Sequence, residues 1–154
     1  YSNQIFSFSP LKKSWSAIAP STYTEQYAYG TYVDSQSFLF VVSKNKTDWG
    51  SFVLDGSNNT WKKLETTGDL PEYMAAGRPV SVYDPNNDIV LLVGGADEKE
   101  KREQEAWVLH IKDNRWEKLS EPGPGIFERM VYDRRHKVFV GFRKKGPVAF
   151  RYSK

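Results

Sequence analysis

The sequence predicts an all-β protein assembled from repeated four-stranded antiparallel units, and three observations carry that prediction. Aromatic residues make up 15% of the 154-residue chain, with 9 Phe, 9 Tyr and 5 Trp, and such side chains suit pleated, half-buried surfaces. Short runs alternate apolar and polar residues, the period of a strand with one buried face. Two families of segments recur at intervals of about 50 residues, which is the mark of a repeat architecture.

Composition sets the outer bounds. Hydrophobic residues at 39% and charged residues at 27% exclude a mostly disordered chain. No apolar run approaches the roughly 18 residues of a membrane-spanning helix. With no cysteine, disulfides, thiolate metal sites and cysteine nucleophiles are excluded. The net charge of +3 comes from 22 basic and 19 acidic residues, a balance that gives no reason to expect nucleic acid as a partner. The chain opens on Tyr1 without a signal-peptide pattern. It therefore reads as a processed product or a piece of something longer, with its compartment open between export and cytoplasm.

The first family reads IFSFSPLKKSWSAI, FVLDGSNNTWKKL and WVLHIKDNRWEKL. Aligned on Trp15, Trp61 and Trp116, it places Phe6, Phe52 and Trp107 nine residues earlier and Phe8, Leu54 and Leu109 seven earlier. Ile18, Leu64 and Leu119 follow three residues later. Pro10, Asp55-Gly56, Asn58-Asn59 and Asp113-Asn114 supply turn chemistry between the two apolar stretches. Each segment is thus expected to be a hairpin of two strands. The second family interleaves with it and reads TYVDSQSFLFVV, VYDPNNDIVLLVGG and VYDRRHKVFVGF. Here Tyr32, Tyr83 and Tyr132 each precede Phe38, Ile89 and Val138 by six residues. Every unit then holds four short strands in about 50 residues, the size of one propeller blade.

The boundaries follow from the alignment. A third and a fourth strand run to about residue 20, the former over Gln4 to Ser9. Blades are expected over about 27–64 and 77–119, with a partial blade over about 126–154. In the last unit GPVAFRYSK matches the opening strand, with Phe150 and Tyr152 at the places of Phe6 and Phe8. About three blades of material make an incomplete ring, since closed propellers use about 4–8. The expectation is that remaining blades, from a longer chain or from another copy, complete it.

The run VYDPNNDIVLLVGG, then a charged loop, then EAWVLHIKDNRWEKL resembles the kelch repeat, in which a double glycine is followed by an aromatic residue and a tryptophan. Gly94-Gly95 supplies the double glycine once, and Ser43-Lys44 and Arg143-Lys144 stand at its place in the neighbouring units. The resemblance implies that the strand ending in the double glycine is the second of its blade and that Trp opens the outermost fourth. Bacterial kelch-like proteins have similar phrasing.

The repeated aromatics, Trp15, Trp61, Trp116, Tyr32, Tyr83 and Tyr132, read as packing between blades, the tyrosines with a hydroxyl partner. Asp84-Pro-Asn-Asn-Asp88 and Asp55-Gly-Ser-Asn-Asn59 carry oxygen ligands at short spacing but sit where hairpin turns are required. His110, between Leu109 and Ile111, is expected to point out of a strand face, and His136 lies in a basic turn. No zinc set, phosphate loop or hydrolase elbow is present, so neither catalytic residue nor metal ligand nor cofactor is assigned.

Loops carry the functional expectation, because function on repeat scaffolds sits there. The kelch resemblance implies that loops between blades and loops joining second to third strands share one face. It places Arg78 and Arg129 near the start of the innermost strands, where an arginine fork would meet carboxylates of an acidic peptide. Arg143 and Lys144 form a basic loop tip, and Arg102 lies in the charged loop Asp97 to Glu105 beside it. The expected function is a non-enzymatic protein-binding or scaffold module. A carbohydrate-handling propeller, a sialic-acid type of enzyme or lectin, and a structural subunit of a larger assembly are the alternatives. Some kelch-like propellers carry an oxidase copper site, and the resemblance disfavours that branch here because its tyrosine–cysteine cofactor needs a cysteine.

Overall fold

The computed structural model describes residues 6–17, 28–36, 38–45, 48–55, 60–69, 71, 79–94, 105–121, 123 and 126–153. They form an all-β structure of fourteen strands in four sheets, with one 3-10 turn at Asp34–Gln36. A hairpin pairs β1 (Phe6–Ser9) with β2 (Ser14–Ala17). The first large sheet is an antiparallel meander of β3 (Ala28–Val33), β4 (Phe38–Asn45), β5 (Asp48–Asp55) and β6 (Thr60–Leu64). The second repeats that order with β8 (Val80–Asp84), β9 (Ile89–Val93), β10 (Ala106–His110) and β11 (Arg115–Lys118). The third holds β12 (Arg129–Asp133), β13 (Val138–Arg143) and β14 (Gly146–Phe150). The remaining strand, β7 (Thr67–Gly68), lies parallel to β11 at the edge of the second sheet.

Cross-strand register unites the two sequence families. In the first large sheet Tyr32, Leu39, Leu54 and Trp61 lie opposite one another in a row across all four strands. The second sheet has Tyr83, Val90, Leu109 and Trp116 in the same places. The third has Tyr132, Phe139 and Phe150, and the hairpin has Phe8 opposite Trp15. The register corrects one expectation: Phe150 occupies the place of Phe8 and Leu109, not that of Phe6. The turn between β13 and β14 has only Lys144 and Lys145, and this tight connection sets the pairing. A shift of two residues leaves every side chain on its face, so alternation alone does not distinguish the two alignments.

The second large sheet is packed on both faces, which is why β9 reads IVLLV with no polar alternation and is buried throughout. Tyr83, Val90, Leu92, Trp107, Leu109 and Trp116 join Val33 and Val53 of the first sheet in one core. The alternate residues Val82, Ile89, Leu91, Val93, Ala106 and Val108 join Phe127, Met130 and Phe139 in a second core against the third sheet. The strands at the leading edges meet as well: β3 lies against β8, and β8 against β12. Between the first two sheets, the buried Trp116 indole donates from Nε1 to Ser51 Oγ at 3.0 Å. In the other core Phe139 and Phe150 stack at 5.5 Å, and Phe127 stacks on Phe150 at 5.9 Å.

Gly141 exists to admit this stack, because a Cβ there would lie 2.2 Å from Phe127 Cε1. Gly68 has a φ of +83° and brings β7 so near β11 that a Cβ would meet the Trp116 carbonyl oxygen at 2.1 Å. That parallel bridge falls in a segment read as an inter-blade loop, since two residues are too few to show a period.

The aromatic-packing expectation holds for Trp116, Tyr83 and Tyr132 and fails for two others. Trp15 is 68% exposed and Tyr32 55%. The β1–β2 hairpin presents Phe6, Phe8 and Trp15 to solvent, with Phe8 and Trp15 rings 5.1 Å apart; its other side carries a Ser7–Ser16 hydroxyl hydrogen bond at 3.1 Å.

Candidate functional site

The turns after the three leading strands converge at one end of the sheets. Asp84 closes its own turn, its Oδ1 accepting from the Asn86 N–H at 2.8 Å and its Oδ2 from Asn87 Nδ2 at 2.7 Å. Asp88 Oδ1 accepts from Tyr83 Oη at 2.7 Å and from Ser35 Oγ of the first sheet at 2.6 Å. Asn86 Nδ2 donates to Tyr132 Oη of the third sheet at 2.7 Å, and Arg134 pairs with Asp34. Burial, with the neighbouring Asp88 and Asp84 carboxylates, raises the Tyr83 and Tyr132 hydroxyls above the ordinary tyrosine pKa. Asp133 is held low by the His136 imidazole, which approaches Oδ2 at 2.6 Å. These oxygens serve turn closure and the joining of sheets. Among the described residues no group of three or more His, Cys, Asp or Glu is placed to hold a metal ion. The Asp55–Asn59 turn lies largely outside the described residues, since 56–59 are not among them.

The opposite end carries the predicted basic residues. Arg129 opens β12, exposed and opposite Phe142; Arg143 closes β13, and Lys144 is exposed in the turn that follows. The Glu128 N–H donates to the Phe142 carbonyl at 2.8 Å, tying the two strand ends together. Thus Arg129, Arg143 and Lys144 are brought to one end of the third sheet. Arg78 and Arg102 lie outside the described residues. Gly94, the first of the double glycine, takes a φ of +102° and donates its N–H to the Glu105 carbonyl at 2.9 Å as the chain leaves β9.

Sequence reasoning missed an open cleft of about 820 Å³ between β11 and the end of β14. Its apolar wall is Leu91, Val93, Ala106, Leu119, Phe150 and Tyr152, and its rim includes His110, Arg115, Glu117 and Arg151. His110 was expected on a solvent face and is instead 7% exposed. Both faces of its sheet are covered, so there is no solvent face for it to take. Its Nε2 lies 2.8 Å from Glu117 Oε2, and Arg115 reaches the same oxygen at 3.3 Å. The His110 hydrogen bond, with help from Arg115, holds the Glu117 carboxyl below the ordinary glutamate range. Burial pushes the Tyr152 hydroxyl up, with the Glu117 charge adding to the effect. Such a cleft, apolar within and charged at its rim, is suited to recognition.

No helix among the described residues is long and apolar enough to cross a membrane. No protein-family profile and no curated protein matches the chain.

Proposed function

We propose that the chain is a non-enzymatic protein-binding or scaffold module, a portion of a kelch-like β-propeller that presents its inter-strand loops to a partner. The observation that carries the reading is the repeated register: sheets with equivalent rows stack face to face, with β3, β8 and β12 adjacent along one side. Radially stacked antiparallel sheets of about four strands are the blades of a propeller. In this reading Arg129 and Lys144 belong to a basic rim at the loop end, where guanidinium and ammonium groups meet the carboxylates of an acidic segment.

A fluorescent hexaglutamate peptide titrated with the protein at low salt tests the rim. Binding is expected to weaken at least tenfold in R129E/K144E and to fall steeply with added salt. Equal binding by the variant and the parent overturns the assignment. A thermal shift caused by sialic acid, with no response to the acidic peptide, would transfer the reading to carbohydrate.

A further inference from the structure

We propose that the turn joining β12 to β13 is a clasp governed by the charge of His136: it holds the third sheet to both of the other large sheets, and it loosens as the imidazole loses its proton. The inference stands on the packing of the three sheets and is independent of the basic rim, which lies at the opposite end. Its first support is a comparison of two turns built alike. Asp84 and Asp133 each follow the tyrosine of their row, and each carboxylate closes the turn after it. Asp84 Oδ1 accepts from the Asn86 and Asn87 N–H groups at 2.8 and 3.4 Å. Asp133 Oδ1 accepts from the Arg135 and His136 N–H groups at 2.9 and 3.0 Å. Both turns end on a left-handed residue, Asp88 at φ +52° and Lys137 at φ +55°. The other carboxylate oxygen tells them apart. Asp84 Oδ2 is held by the Asn87 amide at 2.7 Å, and Asp133 Oδ2 by His136 Nδ1 at 2.6 Å. One backbone frame is thus fastened by a group that never titrates in the second sheet and by one that does in the third.

The second support is what flanks Asp133. On one side of it Tyr132 Oη accepts from Asn86 Nδ2 of the second sheet at 2.7 Å. On the other, Arg134 pairs with Asp34 in the 3-10 turn of the first sheet. In the second turn Asp88 makes such connections itself, accepting from Tyr83 Oη and Ser35 Oγ. Lys137 stands at its place in the third turn and has no acceptor to offer. Both of these ties from the third turn therefore leave from the neighbours of Asp133, the residue that His136 holds.

Charged groups face His136 from every element around it. Its own turn supplies Asp133, Arg135 and Lys137, and Arg151 donates to the His136 carbonyl at 3.1 Å. The first sheet contributes Asp34, engaged by Arg134, and the second contributes Asp84, beside the Tyr132 hydroxyl. Histidine changes charge between about pH 5 and 8. As imidazolium it donates to Asp133 with the strength of a charge-assisted bond. The clasp is complete where the carboxylate is ionised and the imidazole protonated. As pH rises and the ring becomes neutral, the charge assistance goes and Nδ1 keeps a proton in only one of two tautomers. At the acid end the clasp is lost again as pH falls through the lowered pKa of Asp133.

Amide exchange in the 15N-labelled protein, followed by NMR from pH 5 to 8 and corrected for the intrinsic pH dependence of each amide, tests the clasp. The probe is the Arg135 N–H, and the Asn86 N–H at the same place in the second turn is its internal control. In the parent, Arg135 protection is expected to fall about threefold or more with the midpoint of the His136 ring protons, while Asn86 protection stays level. H136N gives the third turn the side chain that the second already has, and is expected to make Arg135 as level as Asn86. The Asp34 amide shift is expected to move with the same midpoint in the parent and to stay put in R134Q. Level Arg135 protection in the parent, or the same pH dependence in H136N, overturns the proposal. A full transition at Arg135 with Asp34 stationary in the parent, or an Asp34 movement that persists in R134Q, overturns the connection to the first sheet and with it the clasp.

Discussion

Replacing Ser51 with Ala removes one atom from the contact between the first two large sheets and leaves the Trp116 indole N–H buried without its 3.0 Å acceptor. Trp116 is 1% exposed and Ser51 5%, so water does not take the place of the hydroxyl. An orphaned buried donor costs about 1–3 kcal/mol. For a chain of this size that is a fall in Tm of about 2–12 °C. Trp116→Phe deletes the donor itself and costs more through lost volume. The double variant has no orphaned indole, so its loss is expected to fall short of the sum by about 1 kcal/mol. Urea unfolding of the four proteins, followed by tyrosine and tryptophan fluorescence and by far-UV circular dichroism, measures the cycle. Additivity within about 0.3–0.5 kcal/mol would refute the inference that this bond couples the sheets.

Three further outcomes follow from the geometry. G141A places a methyl 2.2 Å from the Phe127 ring, and the forced repacking is expected to cost about 1–3 kcal/mol in urea unfolding. G68A, strained at φ +83° and blocked by the Trp116 carbonyl, is expected to release β7; hydrogen exchange at the Thr67 amide, now bonded to Asn114 O at 3.0 Å, should accelerate with little change in global stability. Glu117 titrates below its unfolded pKa of about 4.3 because His110 and Arg115 favour the carboxylate. Its contribution is therefore complete above that value and is lost as pH falls through the lower folded pKa. E117Q should flatten the Tm-against-pH curve as pH falls below that value, and an unchanged slope would count against the assignment.

The all-β character was readable because tyrosine and tryptophan recur at fixed offsets from apolar runs, and the antiparallel hairpins because Asp, Asn and Pro punctuate them. What the sequence left open is physical in each case. Two-residue shifts conserve the face of every side chain, so Phe150 could be aligned with Phe6 or Phe8 until the Lys144-Lys145 turn fixed the ladder. His110 alternates with Leu109 and Ile111 as a solvent-facing residue would, and only the presence of a sheet on each side buries it. The basic rim was legible as charge in loops, whereas the cleft depends on the distance between β11 and β14, elements more than 25 residues apart along the chain.

The packing of the second sheet between two others has a consequence for how the molecule comes apart. Stability in such stacks is a sum over neighbouring contacts, and among the described sheets the central one packs against two others while each of those packs against it. The aromatic β1–β2 hairpin, exposed along both strands, sits lowest on that scale. Opening is then a sequence of peeling events that begins at the hairpin, and the amides of β9 and β10, buried over their full lengths, exchange only when the whole stack is lost.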